Sequence, residues 1–479
     1  MIMMWFLILC LTALLAVGIS HWVYMWLNPK CNGKLPPGSM GFPIIGETLQ
    51  FFAPHPFHNI PPFIRNRMEK YGAVFRTSLV GKNVIVSTDP EVNTYIFQQE
   101  DRSVLLWYTE SFMKVLGKKS LLTHHGVIHK YLKNLILHLV GPENLKAKVM
   151  NEMDVVICRH LHAWARHGTL DLKEVTSNML FDYAAKQLIS YDESKTPLKL
   201  AENFKALIYG LLSFPNDILG TPYHACLQGR KNATKIITDI YNDRKASKIH
   251  RSDFLDHLLE EVESEKSILN ESSAIDLVLV LLFAYHETIS TTLTLVPKFM
   301  SDHPDVLAEL TKEHEEILKN RDDETSEITW QEYKSMTFTH MFINETVRLA
   351  NIVPGIFRKV VKDVEVKGYT IPEGWLVIVV PSALHLNSDV YTDPHTFNPW
   401  RWEGKELHAG SKTFMAFGGG VRLCVGADFA KLQMAIFIHY LVTKYRWKIN
   451  GGDEKMIRKP GLVFPNGLRI EISEKDMKC

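Results

Sequence analysis

The most continuous hydrophobic segment of the chain lies at its N-terminus. Residues 1–27 contain no Asp, Glu, Lys or Arg and are dominated by Leu, Ile, Met, Val and Trp. A helix needs about 20 apolar residues to cross the hydrocarbon core of a bilayer, so this segment is long enough. A cleaved signal peptide is the alternative, but the segment has no basic start and no clear small-residue cleavage site. The pattern therefore predicts a transmembrane anchor.

The residues after the anchor predict its orientation and its connection to the rest of the chain. Lys30 and Lys34 follow the apolar run, and the positive-inside rule then places the large C-terminal part in the cytosol. Residues 28–46 are rich in proline and glycine. Because proline fixes φ and has no N–H to donate, we expect a stiff hinge here. The chain is thus divided into an anchor at 1–27, a hinge at 28–46 and a large domain at 47–479.

A second apolar stretch runs from Ala274 to Met300 and is interrupted by Asp276, His286 and Glu287. A second membrane span is one interpretation of this stretch. An adjacent histidine and acid at its middle would be costly in lipid, however. We therefore predict a buried helix that crosses a protein core.

The remaining pattern is mostly helical. Residues 74–87 alternate apolar and polar positions around Gly81-Lys82, which predicts a β-hairpin. Residues 363–381 alternate in the same way between turn residues and predict a small sheet. Most of residues 91–319 has the spacing of helices. The predicted fold class is mainly α with small β-sheets.

Charge and cysteine usage argue against several classes of protein. The chain has 479 residues, of which 54 are basic and 53 acidic, so nothing suggests a nucleic-acid partner. Six scattered cysteines form no C-x-x-C pair, which is neither a zinc pattern nor a disulfide framework and suits a reducing compartment. The histidines include no H-E-x-x-H sequence. Neither nucleic-acid binding nor zinc catalysis is expected.

One cysteine lies in a segment of distinctive composition. The sequence Phe417-Gly-Gly-Gly-Val-Arg-Leu-Cys-Val-Gly426 places Cys424 among four glycines, near an arginine and before an apolar, helix-like run. Glycine lets a backbone turn with positive φ and approach a flat ligand, and backbone N–H groups and positive charge stabilise a thiolate. A glycine-rich turn with a buried structural cysteine is the alternative. The order F-G-G-G-x-R-x-C-x-G nevertheless resembles the haem-binding loop of the cytochrome P450 family.

Further basic residues match the family's haem-binding positions. His129 and Lys133 are spaced to share one helix face, and a solvated basic face is the ordinary explanation of such a pair. The resemblance implies instead that they hold haem propionates, with Lys133 in the place of a more usual arginine. Arg358 and Arg422 are further propionate candidates, because arginine is shaped for carboxylates. The implied haem-binding set is His129, Lys133, Arg358, Phe417, Arg422 and Cys424, in which Cys424 is the iron ligand.

The second apolar stretch contains the segment Ala284-Tyr285-His286-Glu287-Thr288. It resembles the family's oxygen-activating motif, in which the acid and the hydroxyl relay protons, so Glu287 and Thr288 are the implied catalytic residues. A Thr side chain competes for helix carbonyls and can open a helix locally. Tyr285 stands where the family usually has glycine, and Ile289 where it has Thr or Ser. We expect a bulkier pocket roof from these two differences.

Glu345 and Arg348 form an E-x-x-R pair on one helix face, which is most often a surface ion pair. Downstream, the segment from Phe397 to Trp402 resembles the family's second signature, whose arginine is Arg401 here. The resemblance implies a buried charged triad of Glu345, Arg348 and Arg401. A triad of this kind is structural and holds the cysteine loop in place.

These motifs follow the family's order along the whole chain, so they could not form one haem site if the chain were split. The resemblance therefore implies a cytochrome P450 fold with one catalytic domain at 47–479 behind a single transmembrane helix. It also implies haem b, O2, and electrons from NADPH through NADPH–cytochrome P450 reductase at the endoplasmic reticulum membrane. Lys130, Lys412 and Lys431 are candidates for docking the reductase. Segments such as the one from Lys34 to Pro43 are similar to the plant microsomal branch that acts on sterols and triterpenoids.

Within that branch, the likeness is to a subfamily of triterpenoid hydroxylases and sterol side-chain-cleaving enzymes. The implied activity is oxidation of cholesterol or a phytosterol near the C20–C22 bond, giving pregnenolone for steroid biosynthesis. Hydroxylation of a triterpenoid skeleton is the nearer alternative. A reductase-independent haem-thiolate isomerase or lyase is an alternative of a different class, and a non-catalytic haem or sterol binder is a third.

Apolar and aromatic segments are expected around the substrate, which suits a large hydrophobic ligand with few polar anchors. An ordinary core position is the alternative for each of these residues. Tyr285 is expected to narrow the space over the iron, so that a slim alkyl tail reaches it more easily than a wide ring. The candidate pocket residues are Trp107, Tyr108, Phe214, Ala284, Tyr285, Ile352, Val353 and Phe464.

Overall fold

The structure is a computed structural model that describes residues 2–195, 199–265, 267–323, 326–405, 411–450 and 455–475. Helices dominate these residues, and the predicted mainly α class is confirmed. The helices are α1 Ile2–Leu27, α2 Thr48–Phe51, α3 Pro62–Tyr71, α4 Pro90–Gln98, α5 Glu110–Leu116, α6 Gly126–Val140, α7 Pro142–Asn144, α8 Met150–His167, α9 Leu172–Ile189, α10 Leu200–Leu211, α11 Pro222–Ser247, α12 Phe254–Glu263, α13 Glu271–Ala284, α14 Ser290–Asp302, α15 Pro304–Lys319, α16 Trp330–Ser335, α17 Thr337–Ala350, α18 Pro381–His385 and α19 Ala427–Lys444.

Small sheets lie beside the helices. The strands are β1 His55–Pro56, β2 Val74–Leu79, β3 Lys82–Ser87, β4 Val104–Leu106, β5 Thr169–Asp171, β6 Ile356–Val360, β7 Val364–Val366, β8 Tyr369–Ile371, β9 Leu376–Val379, β10 Tyr445–Ile449, β11 Ile457–Arg458, β12 Leu462–Val463 and β13 Arg469–Glu474. The largest sheet has the order β2-β3-β9-β6-β4, and the others are β1-β11-β12, β10-β13-β5 and β7-β8.

The two predicted β regions are confirmed. β2 and β3 form an antiparallel hairpin that turns at Val80 and Gly81, which both have positive φ. β7 and β8 form a second hairpin, after which β9 runs parallel to β3 and joins the large sheet. Strand β6 lies between β9 and β4, so the large sheet brings Arg358 directly opposite Leu106.

The predicted buried helix is also confirmed. Helices α13 and α14 are joined by a π-helical segment, Tyr285–Ile289, into one element in which 78% of the most apolar window is buried. Its apolar residues lie on all sides, as expected for a helix surrounded by protein. The Asn270 side chain accepts the Ser273 N–H and caps the N-terminal end. This helix packs against α9, α11, α17 and α19 and forms the axis of the core.

The N-terminal helix α1 has the opposite surroundings. Among the described residues, two helices are long and apolar enough to cross a membrane, and only in α1 is the most apolar window entirely unburied. Leucine, isoleucine and tryptophan side chains cover its exposed surface. At its end, Trp26 Nε1 donates to Gly41 O of the hinge at 3.3 Å. Such a helix fits a membrane anchor.

An anchor of this kind predicts how the protein is extracted from membranes. The full chain should stay in the membrane pellet after alkaline carbonate treatment, because α1 has no polar face to release it into water. A chain that lacks residues 2–27 should move to the supernatant under the same treatment. Release of the full chain by carbonate would contradict the anchor.

Candidate active site

The cysteine predicted as iron ligand sits in a tight loop just before α19. The Cys424 N–H donates to Phe417 O at 3.0 Å, and the Gly418 N–H donates to Met415 O at 3.0 Å. Cys424 has protein around it, yet its side chain is exposed, so the thiol faces a space rather than the packed core. Burial raises the pKa of this thiol, whereas the N–H of Gly426 and the charge of Lys133 act in the opposite direction.

Three successive glycines allow this loop to fold. Gly418 and Gly420 have φ values of +82° and +65°, which lie in the region that side chains rarely adopt. At Gly419 and Gly420 an added Cβ would also lie within 2.6 Å of Phe97 atoms. The loop is therefore pressed against α4, and a side chain at either position would push it away.

A charged triad lies beneath the loop at the C-terminal half of α17. Arg348 Nε and Nη2 each donate to the Glu345 carboxylate at 2.8 Å, and Arg401 Nε donates to it at 3.0 Å. The same carboxylate accepts the Asn398 N–H and the Trp402 indole N–H. Glu345 and Arg348 have no exposed side-chain surface. Every buried charge here has a partner, which is the condition for keeping it in the core.

The triad reaches the cysteine loop through aromatic residues and a histidine. The Trp402 ring packs edge-on against Phe414, with ring centroids 5.3 Å apart. Tyr391, whose ring lies against Arg348, donates its hydroxyl to Thr413 O at 2.7 Å. His385 Nε2 accepts the N–H of Met415 at 3.0 Å. These contacts fix the residues that lead into the loop.

Basic residues predicted to bind propionates come together beside the loop. Lys133 Nζ donates to Val421 O at 3.2 Å. Arg422 Nε and Arg358 Nε approach the two oxygens of Glu100 at 3.2 Å and 2.5 Å. His129 is buried, and burial together with Arg422 and Lys133 lowers its pKa to about 4. At neutral pH, His129 is thus an uncharged hydrogen-bond donor. The side chains of Lys133, Arg358 and Arg422 are cations.

These residues fit haem by the chemistry of their donors. A single sulfur ligand faces a space, and the groups beside it carry three positive charges against one buried carboxylate, that of Glu100, with Asp101 at the surface. A dianionic porphyrin edge would balance the excess, since buried charge needs a partner. A bound iron would also favour the thiolate over the thiol at Cys424. We propose that His129, Lys133, Arg358 and Arg422 hold the propionates and that Cys424 binds the iron.

The central helix changes geometry at the predicted oxygen segment. Ala284 and Thr288 are exposed although Tyr285, His286 and Ile289 beside them are buried, so one face of the helix borders a space. Thr288 Oγ1 donates to Ala284 O at 2.9 Å, and the π-helical turn spans Tyr285–Ile289. A hydroxyl that competes for a helix carbonyl widens the turn in this way. The helix therefore widens here without a glycine at position 285.

Glu287 forms an ion pair with Lys173, a residue that no sequence motif indicated. Lys173, at the start of α9, donates to Glu287 Oε2 at 3.3 Å, to Ser290 Oγ at 2.8 Å and to Thr291 Oγ1 at 2.9 Å. Burial opposes ionisation, but His286 and Lys173 hold the pKa of Glu287 below its usual value. Lys173 and Glu287 are 114 residues apart, so no local pattern links them.

Two candidate pocket residues lie elsewhere than expected. Tyr285 is 5% exposed and packs on Phe429 of α19, with ring centroids 4.8 Å apart, and not on the face shared by Ala284 and Thr288. It therefore fills the core between helices, and the expected narrowing over the iron is not seen. Phe214 lies in the segment that follows α10 and is 83% exposed, so it is on the surface and not in the interior. No periodicity in the short segment around it could show this.

Two of the other pocket candidates, Trp107 and Tyr108, belong to an aromatic wall next to Arg358. Tyr108 stacks on Phe112 with ring centroids 4.6 Å apart, and both Trp107 and Tyr108 approach Phe357, the neighbour of Arg358 on β6. All four rings are partly exposed. Ile352 and Phe464 are partly buried against the main core, and Val353 is exposed. The wall stands beside the proposed propionate cluster.

A mainly helical domain that combines an exposed thiol in a glycine-rich loop with a buried helix widened at Tyr285–Ile289 has the features of a haem-thiolate monooxygenase. The chain belongs to the Cytochrome P450 family, whose pattern matches residues 36–470. Members of this family bind haem iron and receive electrons from NADPH through a reductase.

Relatives place it in the plant branch. The chain is 50% identical to Cytochrome P450 87A3 of Oryza sativa subsp. japonica, covering 98% of this chain and 92% of that one. It is 41% identical to the cucurbitadienol 11-hydroxylase of Siraitia grosvenorii, covering 99% and 100%. Its fold is similar to that of retinoic acid bound cyanobacterial CYP120A1, with a TM-score of 0.82, 27% identity and coverage of 93% and 100%. The predicted family, fold and cofactor are confirmed.

The buried triad predicts a large loss of stability when one member is removed. Glu345→Gln should lower the free energy of unfolding by about 3 kcal/mol or more, because two arginines lose their charged partner. Urea unfolding of the haem-loaded protein, followed by tryptophan fluorescence and the haem band, measures this. Glu174→Gln is the matched control, since Glu174 pairs with Lys205 at the surface, where such a change costs about 1 kcal/mol or less. Equal losses in the two variants would contradict a structural triad.

Proposed function

We propose that this monooxygenase oxidises the side chain of a sterol, with hydroxylation and C20–C22 cleavage of cholesterol or a phytosterol giving pregnenolone. The aromatic wall of Trp107, Tyr108, Phe112 and Phe357 carries the proposal. Aromatic rings beside the proposed propionate cluster offer an apolar surface for a large hydrophobic ligand, such as a sterol with its alkyl tail. Ala284, the small residue on the exposed helix face, leaves room for such a tail beside Thr288.

Hydroxylation of a triterpenoid skeleton is the second candidate. It is favoured by the similarity to a cucurbitadienol 11-hydroxylase. The chain is more similar to P450 87A3, whose name states no substrate. The hydroxylase therefore indicates a class of polycyclic isoprenoid substrates without fixing the position that is oxidised.

The residues of the central helix supply protons to the exposed face. A thiolate-ligated haem supplies the oxidising chemistry and favours cleavage of the O–O bond. Thr288 presents its hydroxyl at this face, while its own bond to Ala284 O holds the bulge open. Glu287 exchanges protons from the other side of the helix, where Lys173 and His286 hold it ionised. We propose that these groups form a relay from the α9 side of the helix to Thr288.

We further propose a location and a docking surface. Helix α1 anchors the protein in the endoplasmic reticulum membrane with residues 47–479 as a cytosolic catalytic domain, as Lys30 and Lys34 predict. The reductase docks at the thiolate side, where Lys130 and Lys412 are exposed and Lys431 is partly buried. Residues Val127 and Val421 give this side an exposed apolar component.

The substrate proposal predicts the product profile of microsomes that contain this chain and a plant reductase. Cholesterol or campesterol should give pregnenolone with consumption of NADPH and O2, and cucurbitadienol and β-amyrin should give little product. Reversed preference would support the triterpenoid candidate. Product formation from a sterol hydroperoxide without NADPH would instead support an isomerase or lyase.

The proton relay predicts uncoupling when Lys173 is replaced. In Lys173→Met, product formed per NADPH consumed should fall about tenfold or more, with the difference released as hydrogen peroxide, because Glu287 loses its charged partner. Thr288→Val should show the same defect. Lys205→Met, which removes a surface lysine paired with Glu174, is the control and should leave coupling unchanged. Full coupling in Lys173→Met would refute its part in the relay.

Reductase docking through lysines predicts a dependence on salt. The apparent affinity for reductase should fall as ionic strength rises, because exposed charges are screened. In Lys130→Glu the affinity should already be low at low salt. An apparent affinity for reductase that does not change with salt in the wild-type protein would exclude this docking surface.

A further inference from the structure

One buried carboxylate joins the cysteine loop to the large sheet. Glu100 lies in the turn between α4 and β4, and its side chain is 1% exposed. Its Oε1 accepts the N–H of Leu106 at 2.9 Å, which fixes the side chain to its own turn. The same oxygen lies 3.2 Å from Arg422 Nε, and Oε2 lies 2.5 Å from Arg358 Nε. A single side chain thus contacts both arginines assigned to haem.

The two arginines reach Glu100 from distant parts of the chain. Arg358 is on β6, opposite Leu106 of β4, and its guanidinium lies over the Phe97 ring at 5.3 Å. Arg422 is two residues before Cys424, and it also donates to Leu121 O at 3.3 Å and to His124 O at 2.6 Å. Glu100 therefore sets the distance between a strand of the sheet and the loop that carries the sulfur.

The buried side chains of this cluster carry more positive than negative charge. Arg358, Arg422 and Glu100 are each at most 5% exposed, so two cations share one carboxylate. Asp101 and His125 lie near Glu100, but Asp101 is solvent-exposed and His125 is bonded to Arg422. Glu100, Asp101 and His125 do not hold a metal ion, because the Arg422 guanidinium already contacts Glu100 and His125. Within the buried part of the cluster the cations outnumber the carboxylates by one, with the carboxylate of Asp101 at the surface as the next negative charge. Such a site suits an anionic group that arrives with the cofactor.

We propose that Glu100 is a positioning residue for haem: it orients Arg358 and Arg422 so that both guanidiniums face the propionates while the loop holds Cys424 in place. The proposal rests on the assignment of these arginines to the haem propionates. Glu100 acts through Arg358 and Arg422, as the outer partners of metal ligands act through those ligands. Without Glu100, both arginines lose their shared anchor and the loop loses its connection to β6.

The test compares Glu100→Gln with the wild type as full-length, haem-loaded protein. Haem transfer to apomyoglobin should be about tenfold faster or more in the variant, the usual effect of losing an outer partner of a metal site. The reduction potential of the haem should rise, because a negative charge beside it is removed. A carboxylate that supported the fold far from the haem would leave the potential unchanged. The control is Glu47→Gln, a buried carboxylate that pairs with Arg67 and Thr77, for which both quantities should match the wild type.

Haem loss at the wild-type rate in Glu100→Gln would overturn the proposal. Slower loss would overturn it as well, because Glu100 would then compete with the propionates for the arginines. If Glu100→Gln does not accumulate as folded holoenzyme, Glu100→Asp decides: it keeps the charge but is too short to reach both arginines. In Glu100→Asp, haem loss that is faster than in the wild type, at a nearly unchanged reduction potential, supports the proposal. Haem loss from Glu100→Asp at the wild-type rate overturns it. Wild-type protein that holds haem but oxidises no sterol or triterpenoid would refute the proposed substrate only.

Discussion

Glu345 has no contact with solvent, and its carboxylate accepts five hydrogen bonds from Arg348, Arg401, Asn398 and Trp402. Taking such a group out of water is costly unless every lone pair is used. The segment that surrounds it is therefore held in one conformation, and Trp402, Tyr391 and His385 pass that constraint to Thr413–Met415. The cysteine loop, with its glycines at 418 and 420, packs against Phe97 of α4, and the residues that lead into it are held by this network. Its shape depends on this buried network.

A second constraint acts in the central helix. The central helix is buried along most of its length, so a change in its hydrogen bonding cannot be relieved by solvent. Thr288 takes the carbonyl of Ala284, and the helix widens to a π turn in the middle of the core. Lys173 ties the displaced groups of that turn to α9. The wider turn is thus built into the packing of four helices, and it leaves one face of the helix free for chemistry.

Local sequence signals predicted a large part of this arrangement. The cysteine loop, the E-x-x-R pair, the hairpin at β2–β3 and the buried helix each depend on residues close together in the chain. Lys173 and Glu100 could not be found in this way, since Glu100 is 322 residues from Arg422 and its pairing exists only in the folded protein. The side-chain direction of Tyr285 also depended on tertiary contacts. A tyrosine at that position could face the site or Phe429, and packing against α19 decided between them.

The thiolate bond of Cys424 to haem iron is the claim on which the whole account depends. It is tested most directly by purifying the wild type and Cys424→Ser, reducing both, adding carbon monoxide and recording the absorption spectrum. The account predicts the long-wavelength Soret band of a thiolate-ligated haem in the wild type and its loss in Cys424→Ser. Absence of that band from folded, haem-loaded wild-type protein, or its persistence in Cys424→Ser, would contradict the account.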